Sequence, residues 1–141
     1  MTEPLTFREY QRWFEDYDRA RGWNRILPAH SLAHLTEEVG EIARLVLKLE
    51  GYRELPPEER AQAADQLAME INDAFVFLTQ LALAFGIDLE ETIRRGQAKA
   101  EARYSVEQGR REAERYRQRQ AENAVWLQGG TANDRPADEE S

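Results

Sequence analysis

Glu37-Glu38-Val39-Gly40-Glu41, followed by Glu70-Ile71-Asn72-Asp73, is the stretch from which the rest of the chain can be read. The pattern is E-E-x-x-E, a gap of about thirty residues, then E-x-x-D. Both groups have apolar neighbours: Leu35, Val39 and Ile42 around the first, Leu67, Ile71 and Ala74 around the second. Carboxylates that edge an apolar seam are costly unless a positive charge neutralises them. A hard divalent cation with oxygen ligands is the natural candidate.

Working outward, the spacing of apolar residues predicts helices. Leu32, Leu35, Val39, Ile42, Val46 and Leu49 follow a 3-4-3-4-3 rhythm, and Leu67, Ile71, Ala74, Leu78, Leu81 and Phe85 follow 4-3-4-3-4. Such rhythms belong to helices packed nearly antiparallel in a bundle. The first of these helices is expected over Leu32–Glu50, with Ser31 as N-cap and Gly51 as stop. Pro56 and Pro57 interrupt, Pro57 sits in the first turn of the next helix, and that helix runs to Phe85 before Gly86. An earlier helix is expected over Phe7–Arg21, followed by a turn-like stretch from Gly22 to Ala29 containing Pro28. A later one opens at a capping box of Asp88 and Glu91 and continues at least to Tyr104, with an extension toward Gln120. Strand signals are nearly absent, because Glu, Ala, Leu, Arg and Gln dominate. The expected fold is therefore all-α, a bundle of four main helices over residues 1–127. Residues 128–141, with Gly129, Gly130, Pro136 and an acidic end, are expected to form a disordered tail.

The chain of 141 residues is long enough for one domain with a real core. Its formal net charge is −8, which argues against non-specific binding to duplex nucleic acid. That charge is uneven. Between Arg94 and Arg119 nine basic residues face four acidic ones, a local balance of +5 that leaves −13 for the remainder. An acidic body beside a basic helix suits a ligand that is both metal-bound and anionic. There is no cysteine, which excludes disulfides, thiolate chemistry and Cys-based zinc sites and is compatible with a cytoplasmic location. No signal peptide opens the sequence, and the longest apolar run, Ala74 to Phe85, falls short of a membrane span.

Helix rise places Glu41 and Glu70 at similar heights, about 15 Å and 18 Å from the connection between their helices. Glu38, Glu41, Glu70 and Asp73 each precede a seam residue by one step, so all four can converge on one groove. Bound Mg²⁺ would relieve their repulsion and leave positions for water and phosphate oxygens. Glu37, about 100° round its helix from Glu38, is placed to hold or deprotonate an attacking water. Lys99 and Arg103, at i, i+4, can clamp phosphates.

These residues carry a family resemblance. E-E-V-G-E with E-I-N-D resembles the signature of the MazG-like all-α nucleoside triphosphate pyrophosphohydrolases. The resemblance spans roughly Phe7 to Tyr104. It includes Trp23 in R-G-W-N-R-I-L-P, F-G-I-D-L-E-E at Phe85 to Glu91, and K-x-x-x-R-Y ending at Tyr104. It implies hydrolysis of a nucleoside triphosphate, with a deoxynucleotide expected, to the monophosphate and pyrophosphate. It implies Mg²⁺ as the cofactor, for which Mn²⁺ can substitute, held by Glu38, Glu41, Glu70 and Asp73. It further implies that Glu37 assists the water, that Lys99 and Arg103 bind phosphate, that Trp23 stacks on the base, and that the chain forms a homodimer or homotetramer. The family's usual Asn in the basic motif of the last helix has no assigned counterpart here.

Two other readings compete. A di-iron carboxylate bundle needs Glu-x-x-His on two helices, and no such pair exists. A non-enzymatic helical interaction module accounts for the amphipathic helices and the charged surface but not the aligned acids. His34, one turn before Glu38, is expected to be structural or hydrogen-bonding, since Mg²⁺ prefers oxygen. Trp13 and Phe14 are expected to pack.

Overall fold

The computed structural model describes residues 5–129. Among them every regular element is helical: α1 (Phe7–Arg21), α2 (Pro28–Leu49), α3 (Arg60–Ala84), α4 (Leu89–Arg103) and α5 (Val106–Leu127). Single turns of 3₁₀ helix occupy Trp23–Arg25 and Pro57–Glu59. All-α architecture is thus as expected, but the expected tail from 128 onward lies almost wholly outside the described residues. The chain divides into two compact units, Met1–Arg94 and Arg95–Ser141.

Local chemistry accounts for the boundaries. Thr6 caps α1 with a reciprocal capping box: its hydroxyl accepts from the Glu9 amide at 3.2 Å, while the Glu9 carboxylate accepts from the Thr6 amide at 2.8 Å. Gly22, at φ +74°, supplies the left-handed residue that ends α1. The start of α2 differs from expectation. Pro28 occupies its first turn, where the fixed φ of proline suits a helix and the missing N–H costs nothing, so α2 begins before Ser31. Ser31 is therefore not a cap; it lies inside the first turns and is buried. Gly51, at φ +87°, follows the end of α2 as expected.

A second difference concerns the C-terminal helix. Rather than one helix reaching toward Gln120, the chain stops at Arg103 and restarts at Val106. Ser105 makes the break: its hydroxyl accepts from the Gln108 amide at 3.1 Å, and the Gln108 side chain accepts from the Ser105 amide at 3.2 Å. That is a capping box spelled S-V-E-Q, a signal present in the sequence. Among the described residues, five helices replace the expected four.

In the first unit α2 and α3 pack as an antiparallel hairpin, and α1 lies against α3. Phe14, Leu45, Ala63, Ala74 and Ala82 are buried with Thr79, whose hydroxyl donates to the Phe75 carbonyl at 2.8 Å. Gln11 ties α1 to the start of α4 by donating to the Ile87 carbonyl and accepting from the Leu89 amide.

The hairpin seam is not the one read from apolar spacing. Along α2 the covered positions include Ser31, Leu35, Glu38, Ile42, Leu45 and Leu49, again a heptad-like rhythm but shifted by one residue at every second position. Leu32, Val39, Ile71, Leu78 and Phe85, all expected in the seam, are exposed. Glu38 therefore sits in the seam rather than beside it. Helix α3, with its preceding turn, is also longer and more apolar than the Ala74–Phe85 run suggested, and by length and composition it is sufficient to cross a membrane. It carries Glu70 and Asp73 near its middle, where their carboxylates gather with that of Glu38, an arrangement that hydrocarbon would penalise.

Candidate metal centre

Because α2 and α3 run antiparallel, residues that are far apart in sequence meet across the hairpin. Glu38, Glu70 and Asp73 each offer a carboxylate oxygen, and these oxygens lie within 4.8 Å of one another. All three residues are partly buried. Partial burial raises the pKa of Glu38, and a hydrogen bond with Glu70 and the negative charges of Glu70, Asp73 and Glu37 raise it further. A carboxyl raised by like charges is electrostatically suited to a cation. Three oxygen donors, no sulfur and no imidazole among them, fit Mg²⁺ or Mn²⁺.

Glu41, expected as a fourth ligand, is placed differently. It is exposed, and its Oε2 accepts from Arg44, with Nε at 2.9 Å. It stands one turn along α2 from Glu38 and is not among the three grouped acids. Sequence reasoning missed Arg44, although its i, i+3 spacing from Glu41 is a readable signal. Glu37 is largely exposed and its Oε2 lies 2.8 Å from Nδ1 of His34. The His34 ring in turn stacks on Phe77, with centroids 5.3 Å apart. Asn72 donates to Asp73 at 3.1 Å and so steadies one of the grouped carboxylates. Lys99 and Arg103 are exposed on α4 with the expected i, i+4 spacing, and Arg103 lies over the Tyr104 ring at 5.1 Å. Both belong to the second compact unit, and their part in a site rests on the resemblance.

An aromatic cavity of about 460 Å³ opens beside these acids, sharing Asn72, His34 and Phe77 with their surroundings. Tyr10, Trp13 and Tyr17 from α1 line it, with Trp23 and Ile26 from the turn that follows. The Trp23 ring meets Tyr17 edge-on at 5.9 Å and is nearly half exposed, so a free face remains. Trp13, expected to pack, is more than half exposed and belongs to this cavity, whereas Phe14 is buried as expected.

At the far end of the cavity stands a second polar cluster. Ser31 Oγ donates to Gln80 Oε1 at 3.1 Å, and Gln80 Nε2 donates to Asp18 Oδ2 at 3.0 Å. Asp18 is 3% exposed, and its other oxygen, Oδ1, is buried with no hydrogen-bond partner. Burial raises the Asp18 pKa, against the opposing effects of Gln80 and Arg21. The one hint in the sequence is the polar break of Thr79 and Gln80 in an otherwise apolar run.

Comparison with known proteins identifies the family. The MazG nucleotide pyrophosphohydrolase domain matches residues 28–106, more than half of the chain, and takes in both acidic motifs and the Lys99–Tyr104 segment. The uncharacterized protein YvdC of Bacillus subtilis (strain 168) is 31% identical over 103 residues, covering 71% of this chain and 97% of YvdC. On that match, and with the three acids gathered across one helical hairpin, the chain belongs to the MazG nucleotide pyrophosphohydrolase domain family.

Proposed function

We propose that the protein hydrolyses a nucleoside triphosphate, a deoxynucleotide by preference, to the monophosphate and pyrophosphate in a Mg²⁺-dependent reaction. The single observation that carries this reading is the convergence of Glu38, Glu70 and Asp73 within 4.8 Å beside an aromatic cavity. Family membership supports the same chemistry.

Glu38, Glu70 and Asp73 would hold Mg²⁺, with Mn²⁺ able to replace it, and Glu41 would join them on releasing Arg44. When bound, the ion supplies charge neutralisation for a phosphate chain and lowers the pKa of water. The chain's own residues do the remainder. Glu37 holds the attacking water and takes its proton, and the His34 hydrogen bond fixes the rotamer from which it does so. His34 is itself held flat against Phe77, which makes it a positioning residue. Trp23 offers its exposed face for stacking on the base. Lys99 and Arg103 serve as phosphate contacts. In-line attack at the α-phosphorus forms one P–O bond, breaks the α–β bridge and releases pyrophosphate.

Exposed Val39, Ile71, Leu78 and Phe85 form apolar surface that a homodimer or homotetramer would cover, and light scattering measures that state directly. Nucleotide substrates and the absence of cysteine suit the cytoplasm. The deciding experiment incubates the protein with each nucleoside triphosphate and Mg²⁺ and measures pyrophosphate. Release that disappears in Glu70→Ala supports the reading. No release from any nucleotide favours a non-catalytic helical module, and release that survives in Glu70→Ala removes these acids from the reaction.

A further inference from the structure

The Asp18 cluster has no part in the chemistry just described, yet it is aligned with the acids. Ser31 precedes Glu38 by seven residues on α2, and Gln80 follows Asp73 by seven on α3. Since the helices are antiparallel, both displacements point the same way along the groove. Seven residues are two turns, about 10 Å. That is roughly the distance from the α-phosphate to the far edge of the base in an extended nucleotide. The aromatic cavity, with Trp23, His34 and Phe77 in its wall, fills the interval.

The cluster also has a defined polarity. Ser31 fixes the Gln80 amide, so Gln80 can present only its N–H group to Asp18. Asp18 lines both the aromatic cavity and a neighbouring one of about 280 Å³. Oδ1 remains a buried acceptor without a donor. Buried acceptors are almost always satisfied, so an orphan of this kind asks for a donor carried in by a ligand. Cytosine and adenine carry an exocyclic amine, and guanine an amine beside a ring N–H. Uracil and thymine present carbonyl oxygens on either side of a single N–H, and those oxygens repel a carboxylate.

We propose that Asp18, oriented by Gln80 and Ser31, reads the base edge and selects nucleotides whose base carries an exocyclic amine. The inference rests on the proposed nucleotide site but not on turnover. A buried carboxylate oxygen that accepts an amine N–H from one base and meets a carbonyl oxygen of another distinguishes the two about 10- to 100-fold.

Calorimetric titration with the α,β-imido analogues of dCTP, dATP, dGTP, dUTP and dTTP tests this, because these bind without being cleaved. The wild-type protein should bind the first three at least about tenfold more tightly than the last two. Asp18→Asn, which turns the acceptor into an amide, should erase that preference and improve dUTP binding. If Asp18→Asn does not fold, the wild-type series alone decides. Equal binding of all five analogues by the wild-type protein overturns the role of Asp18 while leaving hydrolysis intact. A preference unchanged in a folded Asp18→Asn overturns it equally, and failure of every analogue to bind overturns this inference and the nucleotide site together.

Discussion

The two ends of the α2–α3 groove place polar side chains in the same seam but satisfy them in opposite ways. At one end Glu38, Glu70 and Asp73 bring three acidic groups together, and the negative charges of Glu70 and Asp73 raise the pKa of Glu38 beyond what burial does. At the other, Ser31, Gln80 and Asp18 form a directed chain of neutral donors ending in one carboxyl. The first end is short of positive charge, and the second is short of a hydrogen-bond donor. On the readings proposed above, each deficit calls for its own kind of ligand: a cation for carboxylates that repel one another, a directional N–H for a fixed acceptor. Polar residues in a seam therefore say more than their burial cost when the missing partner can be identified.

The most severe way to break the contrast is to empty the acidic end. Glu38→Ala should lower kcat/KM for triphosphate hydrolysis about a thousandfold, roughly 4 kcal/mol of transition-state stabilisation, in a steady-state pyrophosphate assay. The fold should survive, because the removed group is a destabilised one. Stability gives the next largest effect. Mg²⁺ at about a hundred times its Kd should stabilise the protein by about 2.7 kcal/mol, seen as a rise in Tm that chelation reverses. Glu70→Gln should raise the Tm of the metal-free protein and abolish the Mg²⁺-induced rise, whereas Asp18→Asn should leave that rise in place.

A smaller effect concerns Glu41. Its partner Arg44 competes with any cation for the same carboxylate, and exposed pairs of this kind are worth about 0.2–1 kcal/mol. Arg44→Ala should therefore tighten Mg²⁺ binding up to about fivefold by calorimetry; unchanged affinity would place Glu41 outside the ligand set. The subtlest test sharpens the other end. Burial raises the folded pKa of Asp18 above its ordinary 3.8, so between the two values the folded chain holds a proton that the unfolded chain has released. Stability from this group is present below about 3.8 and is lost as pH rises through the folded value. Asp18→Asn should accordingly gain stability relative to wild type as pH increases across that window in denaturant titrations.

Much of the fold was legible because its signals are local. Gly22 and Gly51 mark helix ends through a backbone conformation that other residues resist. The break before α5 was equally local, since Ser105 and Gln108 spell a capping box, but helix propensity on both sides of it reads as continuous. Glu38, Glu70 and Asp73 were legible as a group because helix rise sets them at similar heights on neighbouring antiparallel helices, whereas the Arg44 partner that Glu41 takes instead is visible only as an i, i+3 neighbour. Asp18 was not. It lies in an amphipathic helix rich in charge, and its separation from Gln80 by 62 positions leaves no periodic trace.

By itself the sequence determined that the chain is helical, where most helices start and stop, and that acids from two successive helices belong together. Periodicity and capping are properties of neighbouring residues, so the linear order records them. The tertiary structure alone decided which side of α2 faces α3. A turn of α2 about its axis by less than one residue's step of about 100° moved Val39 out and Glu38 in. Glu41, exposed and paired with Arg44, stays outside the three acids that meet. Both registers satisfy the same heptad rhythm. The choice between them rests on how small residues such as Ala63, Ala74 and Ala82 let the helices approach, and on the closure of the Ser31–Gln80–Asp18 chain across three helices.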